Sequence, residues 1–161
     1  MSKTDLKGRI TYANDVFVRV SAYPEHELLG APHSLIRHPE MPRAVFHLLW
    51  QTIERGDEIF AFVNNLAADG DNYWVLAHVT PSFDATHRIV GYHSHRRCPE
   101  DAQLAAVEPL YRSLLAEERK HTGARAQVEA GRALLDRTLA DAGVSYEEFV
   151  WGVITGGAAA A

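Results

Sequence analysis

Between Ile59 and Ser82 the chain reads IFAFVNNLAADGDNYWVLAHVTPS. Two aromatic and β-branched runs are separated by Asp69-Gly70-Asp71, a hairpin signal because Asp-Gly accepts the dihedrals of a tight turn between strands. The spacing predicts one strand from Ile59 to Leu66 and a second from Asn72 to Ser82. On the second, Tyr73, Val75, Ala77 and Val79 share a face, and Trp74, Leu76, His78 and Thr80 share the other. A third strand is predicted from Arg88 to Arg96, with Ile89, Gly91, His93 and His95 on one face. Three such strands in succession form an antiparallel run.

Upstream, two short strands lie around a Lys7-Gly8 turn, the second from Arg9 to Ala13. Asn14-Asp15 can cap a short helix in which Val16, Phe17 and Val20 fall at helical spacing. Pro24 can begin a one-turn helix reaching Leu28 and Leu29, ended by Gly30. After Pro42, the residues Val45, Phe46, Leu48, Leu49, Trp50 and Ile53 mark a longer helix that stops at Gly56. The order β-β, short helices, β-β-β reads as an α+β fold.

Beyond Pro99, Ala, Leu, Glu and Arg dominate. Helices are predicted near Asp101–His121 and Gly123–Ala142, with a third after Ser145, where Ser145 and Glu148 form a capping-box pattern. Val128, Leu135 and Ala142 recur at sevens, but Arg132 and Asp136 interrupt any coiled-coil seam. The expected division is an α+β unit over 1–98, a helical extension over 99–155 and a disordered tail over 156–161.

The chain has 161 residues, of which 47% are hydrophobic and 23% charged, the balance of an ordinary folded domain. A net charge of −5 without a Lys/Arg stripe argues against a nucleic-acid surface. The single cysteine, Cys98, leaves no internal disulfide and fits a reducing compartment. No apolar run approaches the roughly 20 residues that span a bilayer, and the N-terminus lacks a signal-peptide core. A cytoplasmic location is the expectation. No Ser/His/Asp order, Gly-rich phosphate loop or paired-carboxylate motif supports an enzyme.

The segment Ala31-Pro32-His33-Ser34-Leu35-Ile36-Arg37-His38-Pro39-Glu40-Met41-Pro42 crowds cations among helix breakers. Pro39 biases His38 away from helical dihedrals, which puts Arg37 and His38 on an irregular segment suited to facing a ligand. Arg37 offers a bidentate donor, and His38 a donor whose charge can change near neutral pH. The competing reading pairs Arg37 with Glu40 and leaves Trp50 as ordinary core. Asn65 offers an amide that can donate or accept, although the adjacent Asn64 leaves open which of the two faces inward. Trp74 reads equally as a pocket wall or as packing. His78, His93 and His95 can share a sheet face, as a metal or haem site or as a solvated surface, and His47 rivals His38 as an axial ligand.

Several of these stretches resemble the aerotaxis-receptor branch of the bacterial PAS domains. They are Ile10-Thr11-Tyr12-Ala13-Asn14-Asp15-x-Phe17, the run Gly30-x-Pro32-His33-x-x-x-Arg37-His38-Pro39-Glu40-Met41-Pro42, the Trp50 helix, Asn65, and Gly70-Asp71-x-Tyr73-Trp74-Val75. The resemblance implies a five-stranded antiparallel sheet whose short helices, over one face, close a small-molecule pocket. It implies FAD bound non-covalently, and a sensor that reports redox state or oxygen in chemotactic signal transduction. It also implies output through the C-terminal helices, to a homodimer or a signalling partner. Carried over residue by residue, the cofactor set is Asn14, Arg37, His38, Glu40, Trp50, Asn65 and Trp74. Glu40 stands where the family often has Asp, and Leu66-Ala67-Ala68 where it is usually basic. Cys98 lies outside the Asn-Cys-Arg-Phe context of light-sensing relatives, so no thiol adduct is expected. Other members of the wider family bind haem or serve as ligand-free interaction modules, and these are the alternatives. With no recognisable anchor, methyl-accepting or kinase module, the chain reads as stand-alone or as a fragment.

Overall fold

Five antiparallel strands form one sheet in the order β2-β1-β5-β4-β3 in the computed structural model, which describes residues 1–156. The strands are β1 (Ser2–Thr4), β2 (Ile10–Ala13), β3 (Ile59–Leu66), β4 (Asn72–Phe83) and β5 (Ile89–Arg97). The Asp-Gly turn sets the β3–β4 register, pairing Asn65 with Tyr73, Val63 with Val75 and Ala61 with Ala77. The α+β fold expected from the strand order is present, with the five-stranded antiparallel sheet that the family resemblance implies.

Helices α1 (Asp15–Ser21) and α2 (Glu25–Leu28), a 3-10 turn over His33–Ile36, and α3 (Arg43–Glu54) connect β2 to β3. Asn14 caps α1 by accepting a hydrogen bond from the Phe17 N–H at 3.0 Å. Only Phe17 and Ser21 of α1 are buried, whereas Val16 and Val20 face solvent. The apolar spacing there overstated the buried face, because a two-turn helix over the sheet's edge needs one anchor. Phe17 joins Ile10, Leu28 and Ile36 in a small core separate from the main one.

The extension forms α4 (Asp101–Glu118), α5 (Ala124–Asp141) and α6 (Tyr146–Thr155). Ser145 and Glu148 make the expected capping box on α6. The expected disordered tail lies, from Gly157 onward, outside the described residues. Helix α4 runs by the outer edge strand β3, and the Tyr111 hydroxyl donates to the Phe62 carbonyl at 2.8 Å. Tyr111 also packs on Trp74, and Trp151 of α6 on Phe60, so α4 and α6 cover the sheet face opposite Asn65.

A further long-range contact binds the extension to α3. Pro42, at the N-cap of α3, has no side chain able to cap the helix, and the Glu118 carboxylate supplies the missing acceptors. Its oxygens accept from the Arg43 N–H at 3.0 Å and the Ala44 N–H at 2.9 Å. Negative charge at a helix N-terminus is favourable, and Glu118 is only 3% exposed. Gly131 of α5 makes room for this: a Cβ there would stand 2.5 Å from Glu118 Oε1 and 3.0 Å from the Ala44 Cβ. Glu118→Ala is expected to destabilise the chain by about 1–3 kcal/mol, since it leaves the buried Ala44 N–H and the part-buried Arg43 N–H without their acceptors. Urea denaturation measures the loss, which Glu118→Gln reduces by keeping one acceptor oxygen.

Candidate functional site

The inner face of the sheet and α3 enclose a cavity of about 470 Å³, within the size range of small-molecule sites. Leu49, Trp50 and Ile53 of α3 form one wall, opposite Val63, Ala77 and Val79 of the sheet. Trp50 meets Tyr92 edge to face at 5.5 Å between ring centroids. Its far edge lies over Gly8, where φ is +73° and a Cβ would come within 2.9 Å of the indole. Gly8 thus both makes the turn and admits the tryptophan.

The polar lining is cationic. Lys7, Arg37, Arg43 and Arg96 line the cavity, and no Asp or Glu does. Arg37 lies on the extended segment after the 3-10 turn and bridges to Asn65 on the free edge of β3. Its Nη2 donates to the Met41 carbonyl at 3.1 Å, and its guanidinium stacks over Phe46 at 4.6 Å. Burial, and then nearby Arg43, lower its pKa. Among the described residues neither Arg37 nor Arg96 forms an ion pair.

Arg96 projects from β5 and is held by neutral groups. It donates to Ser2 Oγ at 3.1 Å and contacts His33 Nε2 at 2.6 Å, with Phe17 beneath it at 4.9 Å. Burial pushes the His33 pKa down to about 3, with Arg96 adding to the effect, so His33 is neutral and its Nε2 accepts from the guanidinium. Burial also lowers Arg96, to about 10, which leaves it a cation at neutral pH. Asn65 is 2% exposed at the cavity wall, and its Nδ2 is buried without a partner. Asn64, on the opposite face, receives a hydrogen bond from Asn72, which answers the question of which amide turns inward.

Of the seven expected cofactor residues, Arg37, Trp50 and Asn65 come together at the cavity. The other four do not line it. Asn14 is occupied at the α1 cap, where it also accepts from the N-terminal ammonium at 2.7 Å. The His38 N–H reaches the Asn64 carbonyl at 3.4 Å and its Nδ1 accepts from the Glu40 N–H, which ties the ring to its own turn. Glu40 is exposed and lies 3.6 Å from Arg119, not against Arg37, so the Arg37–Glu40 pair is absent. Trp74 packs on Tyr111 across the sheet, because β-strand alternation puts it opposite Tyr73 and Val75. His47 does line the cavity. His93 and His95 stack at 6.1 Å on the outer face, while His78 pairs with Glu58. No group of three or more metal-ligating side chains occurs among the described residues.

The sequence reading missed His33, Arg96 and Val128, which lines the cavity from α5. The alternation that puts His93 and His95 on one face puts Arg96 on the other, so that signal was present. Nothing local announces Val128, which arrives from another helix.

A family model for the PAS fold matches residues 10–96. The chain is 45% identical to the aerotaxis receptor of Escherichia coli (strain K12) over 126 residues, covering 76% of this chain and 25% of that protein. It is 30% identical over 97 residues to the nitrogen fixation regulatory protein of Klebsiella pneumoniae, covering 60% and 20%. It therefore spans about a quarter or less of these relatives. Among solved structures, the dark state of the blue-light photoreceptor Aureochrome1 LOV superposes with a TM-score of 0.57 at 25% identity, over 74% of this chain and 83% of that one. A light-oxygen-voltage domain studied with a flavin analogue reaches 0.60 at 22% identity, over 70% and 85%, a likeness of fold alone.

Stability should vary with pH through His33. Its proton is taken up readily only in the unfolded chain, so stability is full above about pH 6.5 and falls as pH drops toward 3. Urea midpoints at pH 7 and pH 5 should differ, and His33→Gln, which keeps an acceptor for Arg96, should narrow the difference. With sequence, sheet order and cavity in agreement, the chain belongs to the PAS fold family.

Proposed function

We propose that the cavity binds flavin adenine dinucleotide non-covalently and that the chain reports redox state or oxygen to a signalling partner. The observation that carries this reading is a largely apolar cavity lined by the guanidinium groups of Arg37, Arg43 and Arg96 with no carboxylate among them. Buried cations left unpaired are costly, and an anionic ligand offsets that cost. The orphaned Nδ2 of Asn65 adds a donor at the wall, as the polar edge of an isoalloxazine requires. Similarity to the aerotaxis receptor and a fold shared with light-oxygen-voltage domains support the same class of ligand.

A bound flavin supplies reversible redox chemistry and a polar ring edge whose hydrogen bonding depends on its oxidation state. The chain supplies the rest. Trp50 and Ile53 hold the planar group, Arg37 and Arg43 take negative charge, and the Asn65 amide presents a donor or an acceptor by rotating. Asn65 lies on β3, whose edge Arg37 bridges and whose Phe62 carbonyl accepts from Tyr111. A shift at Asn65 is thereby passed to α4. The unit over 1–98 would act as sensor and the helices over 99–155 as output, toward a second copy or a partner protein. Transmission requires that the two ligand states interact differently with Asn65. No described helix is long and apolar enough to cross a membrane. The exposed, unpaired Cys98 favours the cytoplasm.

The absorbance spectrum of the freshly purified chain, with and without added FAD, tests the ligand. Flavin bands are expected. A Soret band would replace this reading with a haem sensor, with His47 one cavity-lining candidate for its ligand, and a featureless spectrum with no FAD binding would leave an interaction module. Arg37→Ala is expected to weaken FAD binding by about tenfold or more. Tyr111→Phe should leave binding unchanged while reducing the redox-dependent change in amide exchange of α4.

A further inference from the structure

The cavity does not end at α3. His47 and Val128 also line a second space, an open groove of about 800 Å³ between α3 and α5. Along α3, Arg43 lines the cavity, His47 lines both spaces and Gln51 lines the groove, each four residues from the last and so on one helix face. Across from them, α5 presents Arg125, Glu129, Arg132 and Asp136, spaced by four, three and four residues and so also on one helix face.

The two spaces differ in chemistry. The cavity has cations and no acid, whereas the groove has two guanidinium groups, each matched by a carboxylate. Arg125 Nε lies 2.8 Å from Glu129 Oε1, and Arg132 Nη2 lies 3.1 Å from Asp136 Oδ1. Two polar atoms remain unpartnered and buried where the groove meets the cavity and along its wall, His47 Nδ1 and Arg132 Nη1. A cationic site suits a diphosphate. A neutral polar groove suits a nucleoside, whose base can stack on a guanidinium and whose ribose hydroxyls can donate to carboxylates.

We infer that the groove between α3 and α5 seats the second nucleoside of a dinucleotide whose planar head occupies the cavity, so that the chain selects a dinucleotide over a mononucleotide. This rests on the flavin reading of the cavity. Its new content is that half of the ligand site belongs to α5, which lies beyond the residues matched by the PAS fold family.

Titration of the flavin-stripped full chain with FAD and with FMN, followed by flavin fluorescence, tests it. FAD is expected to bind about tenfold or more tighter than FMN, a difference of about 1.4 kcal/mol. Two groove variants, Arg132→Ala and Ala133→Trp, should bring FAD to within about threefold of FMN while leaving FMN affinity unchanged. Ala133 is exposed on the groove wall, so a tryptophan there fills the groove without entering the core, and FMN binding by each variant reports an intact fold. Equal affinity for the two flavins in the parent chain, or equal losses for both in the variants, would overturn the inference while leaving the flavin reading standing. Failure of either flavin to bind would overturn both.

Discussion

Glu118 ends α4 inside the protein, with both carboxylate oxygens on the first N–H groups of α3. Pro42 makes this arrangement necessary, because it starts the helix without a side chain that could cap it. The contact joins residues more than seventy positions apart and decides where α4 turns back into α5. Gly131 then lets α5 come close to Ala44 and Glu118. Helix α3, the wall of the cavity, is held between the sheet and this hairpin, so the cavity's shape depends on the C-terminal helices as well as on the PAS sheet.

The cavity combines two demands that a structural core avoids. Its walls are apolar around Trp50 and Val79, yet it keeps Arg37 and Arg96 without carboxylate partners. Neutral groups hold those cations in position: Ser2, His33 and Phe17 for Arg96, Met41 and Phe46 for Arg37. The guanidinium groups are thus oriented without being neutralised, a preorganisation that leaves charge available to a ligand. Burial enforces the neutrality of His33, and a protonated imidazole beside Arg96 would undo it.

Much of the fold was legible because it rests on local rules. The bounds of β3 follow from its apolar run and the Asp-Gly turn, and the cap on α6 from the Ser145–Glu148 spacing. Strand alternation assigns Trp74 to the face opposite Val75, and that face belongs to α4. Arg37 and His38 lie on extended backbone beyond the 3-10 turn, as the neighbouring Pro39 implies, but the side chains of this segment diverge. Arg37 turns to the cavity, while His38 closes its own turn and Glu40 meets Arg119 at the surface. A motif names residues without saying which way each points along an extended chain.

The sequence by itself determined the five strands, the helix boundaries to within a few residues, and the family, because hydrophobic period, caps and turns act over a handful of positions. It also determined that Arg37, Trp50 and Asn65 are chemically equipped for a site. Only the tertiary structure decided which of the candidate residues meet. Arg96 and His33 come together across the sheet, Val128 reaches the cavity from a distant helix, and Glu118 caps a helix in another part of the chain. Those contacts depend on how elements pack in space, which no spacing along the chain encodes.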